Sequence, residues 1–402
     1  MLEAHVERWF SPRSANGLPM SLVLPSGKRI EPCTPARVEM RLRSPNAFRH
    51  LLNPTLSNLG SAYVEGLIDL EGTVDDIVKV AVDLSRDSGK EFEDVEPGML
   101  GRVLRSRLHT RRRDKAAIEY HYDVSNAFYQ LFLDERMVYS CAYFRQTSDS
   151  LEQAQQNKLD HILTKLRVAP GDTFLDVGAG WGALIIRAAQ RGARAVGVTL
   201  SEQQHAWATE QIGRLGLADR CSMRLQDYRD IAAHEQYDRI ASVGMFEHVG
   251  HRNLGSYFNK LQGLLAPGGT MLMHGITATL PGRKQVGRGG GDFIDRYVFP
   301  DGELPHLGFV LESMANARLE VVDVESLRRH YALTLSEWAK RLDARAVVAR
   351  QLAGEKRFRI WRVYLAGCAY GFAHNWMNIY QILACKPGHG THPFALTRDW
   401  MY

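Results

Sequence analysis

The stretch FLDVGAGWG at 174–182 limits what this chain can fold into more than any other. Phe174, Leu175 and Val177 read as a buried strand, and GALIIRAAQ at 182–190 as the apolar helix that follows a glycine-rich turn. Gly178, Gly180 and Gly182 let the backbone approach a ligand where a Cβ would clash. The helix start then offers unpaired N–H groups to an anion. Dinucleotide enzymes use a related turn, so the turn by itself does not choose the ligand.

The rest of the chain narrows the choice. Strands are expected at 173–177, 194–199, 221–225, 237–243, 270–276, 319–325 and 378–386, with helical segments between most of them. The first five fit parallel βα repeats, PGG at 267–269 reads as a turn, and YQILACK at 380–386 reads as an antiparallel return. This pattern fits the class I S-adenosylmethionine (SAM) methyltransferase version of the α/β fold, and a Rossmann-like, doubly wound, seven-stranded sheet is expected. Asp176 and the glycines then belong to its first strand and turn, with the methionine carboxylate at the helix start.

At 402 residues the chain exceeds one ordinary domain. Residues 1–100 read as a smaller N-terminal domain, 101–118 as a basic linker, and 119–402 as the catalytic domain. An insertion at 280–318, glycine-rich and then aromatic, reads as a lid or acceptor wall. No run of about 18 apolar residues is present, so no spanning helix is expected. The start, MLEAHVERWFSPRSANG, lacks a secretory pattern, and five scattered cysteines fit a reduced cytosolic setting.

The linker segment GRVLRSRLHTRRRDK at 101–115 carries seven Arg or Lys and one Asp. It reads either as a solvated connector or as a patch for anionic lipid headgroups. No nucleic-acid module accompanies it, so nucleic acid is not expected as a partner.

Ligands of open parallel sheets bind beyond the carboxyl ends of the strands. Glu247, in MFEHVGH after the fourth strand, and His274, near the end of the fifth, both fall there. Each taken singly also reads as a structural hydrogen-bonding residue. His374, His389 and His392 have no metal-type spacing, so no metal is expected. QLFLDERM at 130–137, read as a helix, and FRIWRVYLAG at 358–367 are amphipathic enough to touch a bilayer or a partner.

Seven segments carry a resemblance: 119–144 with YSCAYF, FLDVGAGWGAL, GVTLSEQQ at 197–204, MFEHVG at 245–250, MHGI at 273–276, DRYVFPDGELP at 295–305 and HYALTLSEW at 330–338. With them the chain resembles the cyclopropane-fatty-acyl-phospholipid synthases, a family that includes mycolic acid cyclopropane synthases and related lipid methyltransferases. The resemblance implies methylene transfer from SAM across a cis double bond of a phospholipid acyl chain, through a carbocation. It implies bicarbonate as the base, held at Cys141 and Ile276 through backbone amides and by Glu247, His274 and Tyr331. Cys141 then need not react.

For SAM the matching positions are Tyr139, Ser140, Asp176, Gly178, Gly180, Gly182, Thr199, Leu200, Ser201, Gln204, Gln226 and Asp227. Tyr120, Tyr143 or Phe144 would offer ring faces to the cation. The resemblance further implies unsaturated acyl substrates, peripheral contact with the cytoplasmic, inner face of a membrane, and possible homodimers. Three readings stay open beside the ring: a methyl-branched or methylene product, a small-molecule methyltransferase, and a non-catalytic lipid-surface module.

Overall fold

A computed structural model describes residues 2–86, 125–281, 290–299, 303–388 and 393–402. The basic segment 101–115, Tyr120, His389 and His392 lie outside the described residues. The described chain divides into two compact units. One holds 2–86, 290–299 and 335–374; the other holds 125–281, 303–334, 375–388 and 393–402.

The first unit is built on a four-stranded sheet of β1 (Met20–Val23), β2 (Arg29–Ile30), β3 (Val38–Leu42) and β4 (Ile68–Glu71), in the order β2-β1-β3-β4. Met20, Leu22, Val38, Met40 and Leu42 are buried with Val6, Phe10, Leu51 and Leu59, so one face of the sheet is the core. The helix Val74–Arg86 starts where Thr73 and Asp76 bond reciprocally, the hydroxyl accepting from the Asp76 amide at 3.2 Å. Its Asp75, Asp76 and Arg86 also complement the helix dipole.

The sequence division at residue 100 is too simple. Segments 290–299 and 335–374 pack with the N-terminal elements. Gly60 allows the helix Gly290–Tyr297 to lie against Leu56–Val64, since a Cβ there would meet the Phe293 ring at 2.8 Å. Arg359 donates to Tyr63 O at 2.8 Å and to Asp69 at 2.7 Å. Phe358, Trp361 and Leu365 are buried, so 358–367 spends its apolar face on packing, not on a bilayer. The expected lid is thus not one element: 290–297 joins this unit, while Leu307–Asn316 is an ordinary covering helix of the other.

The second unit is the seven-stranded sheet: β5 (Thr173–Val177), β6 (Arg194–Thr199), β7 (Cys221–Leu225), β8 (Tyr237–Val243), β9 (Leu265–Ala278), β10 (Glu320–Ser326) and β11 (Met377–Cys385). Its order is β10-β11-β9-β8-β5-β6-β7, and β11 runs antiparallel between β9 and β10. Alternate residues feed opposite faces. Leu175, Met271 and Met273 face the layer with Leu254–Leu264, whereas Phe174 and Leu272 face the layer with Leu151–Lys165 and Ala183–Gln190. The strand β9 begins earlier than expected. Its pairing with β8 jumps from Leu265 to Thr270, so the PGG turn lies inside it as a bulge, with Gly268 at φ +73°.

QLFLDERM is not a helix. The Asp134 carboxylate accepts from the Val138 amide at 2.8 Å and the Arg136 amide at 3.2 Å, which closes a turn. Deeper in this unit, Lys165 is fully buried, with Nζ 2.6 Å from Glu325 and 3.1 Å from Asp323. His161 reaches Glu325 at 2.8 Å and Arg398 reaches Asp323 at 2.9 Å. Two acids and a cationic lysine therefore share one interior site.

Candidate active site

The carboxyl ends of β5, β6 and β8 surround a cavity. The turn after β5 needs its glycines for different reasons. Gly178 and Gly180 line the cavity at φ +79° and +55°, and a Cβ on Gly178 would crowd Met245 Sδ at 3.2 Å. Gly182 does not line it. A Cβ there would meet Ala208 Cβ at 2.8 Å, so this glycine serves the packing of two helices.

Of the positions expected to hold SAM, Tyr139, Ser140, Asp176, Thr199, Leu200, Gln204, Gln226 and Asp227 also line the cavity. Ser201 does not. Its hydroxyl caps the helix Glu202–Arg214 by accepting from the Gln204 amide. Thr199, buried at the end of β6, donates to Gln204 Oε1 at 2.7 Å. Asp227 is neither open to solvent nor unbound, because Arg229 grips both its oxygens at 2.7 and 2.9 Å. Burial raises the Asp176 carboxyl to about 7, against the pull of the Lys158 charge.

The sequence reading missed Gln155 and Lys158, both on the helix Leu151–Lys165. Gln155 donates to Ser140 O at 2.9 Å and Lys158 to Ser140 Oγ at 3.0 Å. The signal was present: Gln155, Lys158 and Lys165 occupy core-facing helical positions among Leu151, Leu159 and Ile162. Trp181 and His248 also line the cavity and were not singled out.

Glu247 sits in the turn Phe246–His248 after β8, nearly buried. Its Oε1 accepts from the Ile276 amide at 2.6 Å, while Oε2 has no hydrogen-bond partner among the described residues. Burial pushes this carboxyl up to about 7, although the Ile276 N–H pulls it down. His274 lies on the neighbouring β9, directly opposite Gln381 of β11. Gln381 Nε2 lies 3.3 Å from His274 Nδ1; with the amide as donor, the ring proton is assigned to Nε2, which has no partner among the described residues. Burial first, then the charges of Lys158 and Lys165, lower this imidazole to about 3, so it stays neutral.

Hydrogen bonds tie the other expected positions to this pair. Leu327 N donates to Ile379 O at 2.9 Å, and Ile379 is the register partner of Ile276. Leu327 O receives the Tyr331 amide at 3.0 Å and lies 3.8 Å from Cys141 Sγ. Burial pushes the Cys141 thiol far above its ordinary range, which removes it as a nucleophile. Glu247, His274, Ile276, Cys141 and Tyr331 are not in the cavity wall; Met245 and His248, flanking Glu247, are.

The ring candidates fare unevenly. Tyr143 is stacked between His161 and His330, at 4.2 and 4.8 Å, so neither face is open to a cation. Phe144 is buried, and its amide donates to His330 Nδ1 at 3.0 Å. His374 Nδ1 contacts Tyr370 O of its own helix at 2.9 Å.

Gly275 locks the Glu247 turn to β9, because a Cβ there would meet the Phe246 ring at 2.4 Å. Gly275→Ala is expected to cost about 1–3 kcal/mol of stability by overpacking. It should also lower turnover beyond that cost, since the ring it displaces adjoins Glu247. Denaturant unfolding, and turnover measured under conditions where the variant is folded, check the two effects.

Comparison with known proteins agrees with this geometry. Residues 109–382 match the family described as mycolic acid cyclopropane synthetase. A probable fatty acid methyltransferase of Pseudomonas putida is 46% identical over 387 residues, 96% of each chain. Tuberculostearic acid methyltransferase UfaA1 of Mycobacterium tuberculosis is 33% identical over 94% of this chain and 90% of its own. Among solved structures, mycolic acid cyclopropane synthase CmaA1 complexed with SAH and CTAB superposes with a TM-score of 0.63 at 34% identity, covering 68% of this chain and 98% of that one. The likeness in fold thus agrees with the match in sequence, and the chain belongs to the mycolic acid cyclopropane synthetase family of SAM-dependent lipid-modifying enzymes.

Proposed function

We propose that this protein alkylates a cis double bond of a phospholipid acyl chain and closes it to a cyclopropane, with bicarbonate as the bound base. The observation that carries the reading is the pair of unpartnered buried atoms, Glu247 Oε2 and His274 Nε2, on adjoining strand ends. Leaving such atoms without a partner is costly, and a small polar group that reached both would remove that cost. Bicarbonate has an O–H for Glu247 and oxygens to accept from the His274 N–H and the Tyr331 hydroxyl. The Ile276 amide is already committed to Glu247 and is not counted as an open donor. Bound together, SAM supplies an electrophilic methyl carbon and bicarbonate a base.

The chain's own residues orient and protect. Glu247, held by the Ile276 amide, is aimed by β9. His274, held neutral, donates a hydrogen bond without adding a positive charge beside a sulfonium. An alkene is a weak nucleophile, so alignment and exclusion of water do most of the work. The acyl substrate places the enzyme at a bilayer surface, which we assign to the cytoplasmic face of the membrane. No helix among the described residues is long and apolar enough to cross a bilayer.

A second reading is favoured by the names of two relatives, a probable fatty acid methyltransferase and a tuberculostearic acid methyltransferase. There the alkylated chain shifts a hydride and loses its proton elsewhere, leaving a methylene branch or, after a separate reduction, a methyl branch.

Purified protein should be assayed with SAM on unsaturated phospholipid vesicles, with and without bicarbonate. The ring reading expects a gain of one CH₂ by mass, loss of olefinic proton signals, new high-field ring protons, and a rate that falls without bicarbonate. Exomethylene protons would establish the branch instead. Unchanged turnover without bicarbonate would remove the base assigned to this site.

A further inference from the structure

The cavity wall carries two buried charges that are not paired with each other. Lys158 and Asp176 are 2% and 3% exposed, and both line the cavity. Among the described residues, the Lys158 Nζ makes a hydrogen bond to Ser140 Oγ at 3.0 Å and no ion pair with a carboxylate. Asp176 Oδ1 has no partner among them. Asp134, the other acid whose charge acts on Lys158, already accepts from the Val138 and Arg136 amides. Burial lowers the Lys158 ammonium to about 8, opposed by the charges of Asp134 and Asp176.

A buried ammonium and a buried carboxylate are costly unless each finds an opposite charge. An amino-acid group meets both needs at once. Its ammonium suits Asp176 and its carboxylate suits Lys158. The Lys158 N–H is donated to the Ser140 oxygen, which leaves the Ser140 O–H free to donate in turn. The same helix fixes the loop as well, since Gln155, one turn earlier, donates to Ser140 O and Val138 O at 2.9 and 3.3 Å.

We propose that Lys158, together with the Ser140 hydroxyl it holds, binds the carboxylate of the amino-acid end of SAM. This rests on the cavity's taking SAM. The start of the helix Ala183–Gln190, where the sequence places that carboxylate, offers only partial charges, whereas Lys158 offers a full one. A lysine that only anchored the loop through Ser140 would affect every ligand of the cavity alike. A carboxylate-binding lysine distinguishes ligands by that group.

Calorimetric titration with S-adenosylhomocysteine and with its decarboxylated analogue separates the two roles. The wild-type protein should prefer the carboxylated ligand by roughly 10- to 100-fold, as for a charged hydrogen-bonded contact. Lys158→Met should remove that preference by weakening only the carboxylated ligand, and Lys158→Arg should keep part of it. Equal binding of the two ligands by the wild-type protein overturns the proposal without any variant. So does an equal loss for both ligands in Lys158→Met. A wild-type protein that binds neither ligand removes the cofactor reading itself, a different result from loss of discrimination.

Discussion

Glu247→Gln is expected to slow alkylation of an unsaturated acyl chain by roughly 10²- to 10⁴-fold, the range for a lost group in proton transfer. Binding of S-adenosylhomocysteine should be unchanged. The glutamine keeps the shape of the side chain and can still accept from the Ile276 amide through its oxygen. It removes the second carboxylate oxygen, the one left without a partner. Product formation and calorimetric binding, measured on the same preparation, check the split.

The pH dependence of stability tells this loss from unfolding. Burial raises the Glu247 carboxyl from 4.5 to about 7 in the folded protein. The folded state therefore holds its proton more tightly than the unfolded chain. The contribution to stability is complete below pH 4.5 and is lost as pH rises through 7. Glu247→Gln lacks this titration, so relative to the wild-type protein it should gain stability between those values. A variant that is inactive yet no less stable at pH 8 is the expected outcome; a destabilised one would mean that the carboxylate serves the fold.

The largest stability effect is expected at Lys165. Lys165→Met should cost about 3–5 kcal/mol, the range for breaking a buried pair by removing one partner. The methionine fills the stem's space but leaves Asp323 and Glu325 without the Lys165 ammonium. His161 and the exposed Arg398 still reach them. Burial by itself would raise the Glu325 carboxyl, but the His161 hydrogen bond and the Lys165 charge outweigh it and hold the group at about 2. That depressed value stabilises the fold above pH 4.5, and the benefit fades as pH falls toward 2. The difference between wild type and variant should therefore be widest near neutral pH and shrink on acidification. Denaturant unfolding at several pH values checks both the size and the trend.

Most of the sheet was legible because its central strands are largely buried and its strands are bounded by turn residues. The expected 173–177, 194–199, 221–225 and 237–243 coincide with β5 to β8. Errors arose where a side chain competes with the backbone or where distant segments meet. Asp134 turned an apparently amphipathic helix into a turn by bonding two amides. Nothing local in 335–374 marks it as belonging with the N-terminal sheet, because its partners, such as Tyr63 and Asp69, lie hundreds of residues earlier.

In the site, Glu247 and His274 could be read from strand ends, where side chains of such sheets meet ligands. Lys158 and Gln155 share the helix face of Leu151, Leu159 and Ile162, a weaker signal, since a polar residue on a helix reads as solvated unless its apolar neighbours are followed around the turn. Gly182 and Ser201 belong to the motif but serve a helix contact and a helix cap.

The antiparallel strand β11 has one more consequence. It sets Gln381 across from His274, and so chooses which ring nitrogen keeps its hydrogen, from a position 107 residues downstream. A slip of one place along β11 would bring Tyr380 or Ile382 opposite the imidazole, and the tautomer would lose its guide. The imidazole's proton thus hangs on one rung of the ladder, whatever the length of chain that joins its two halves.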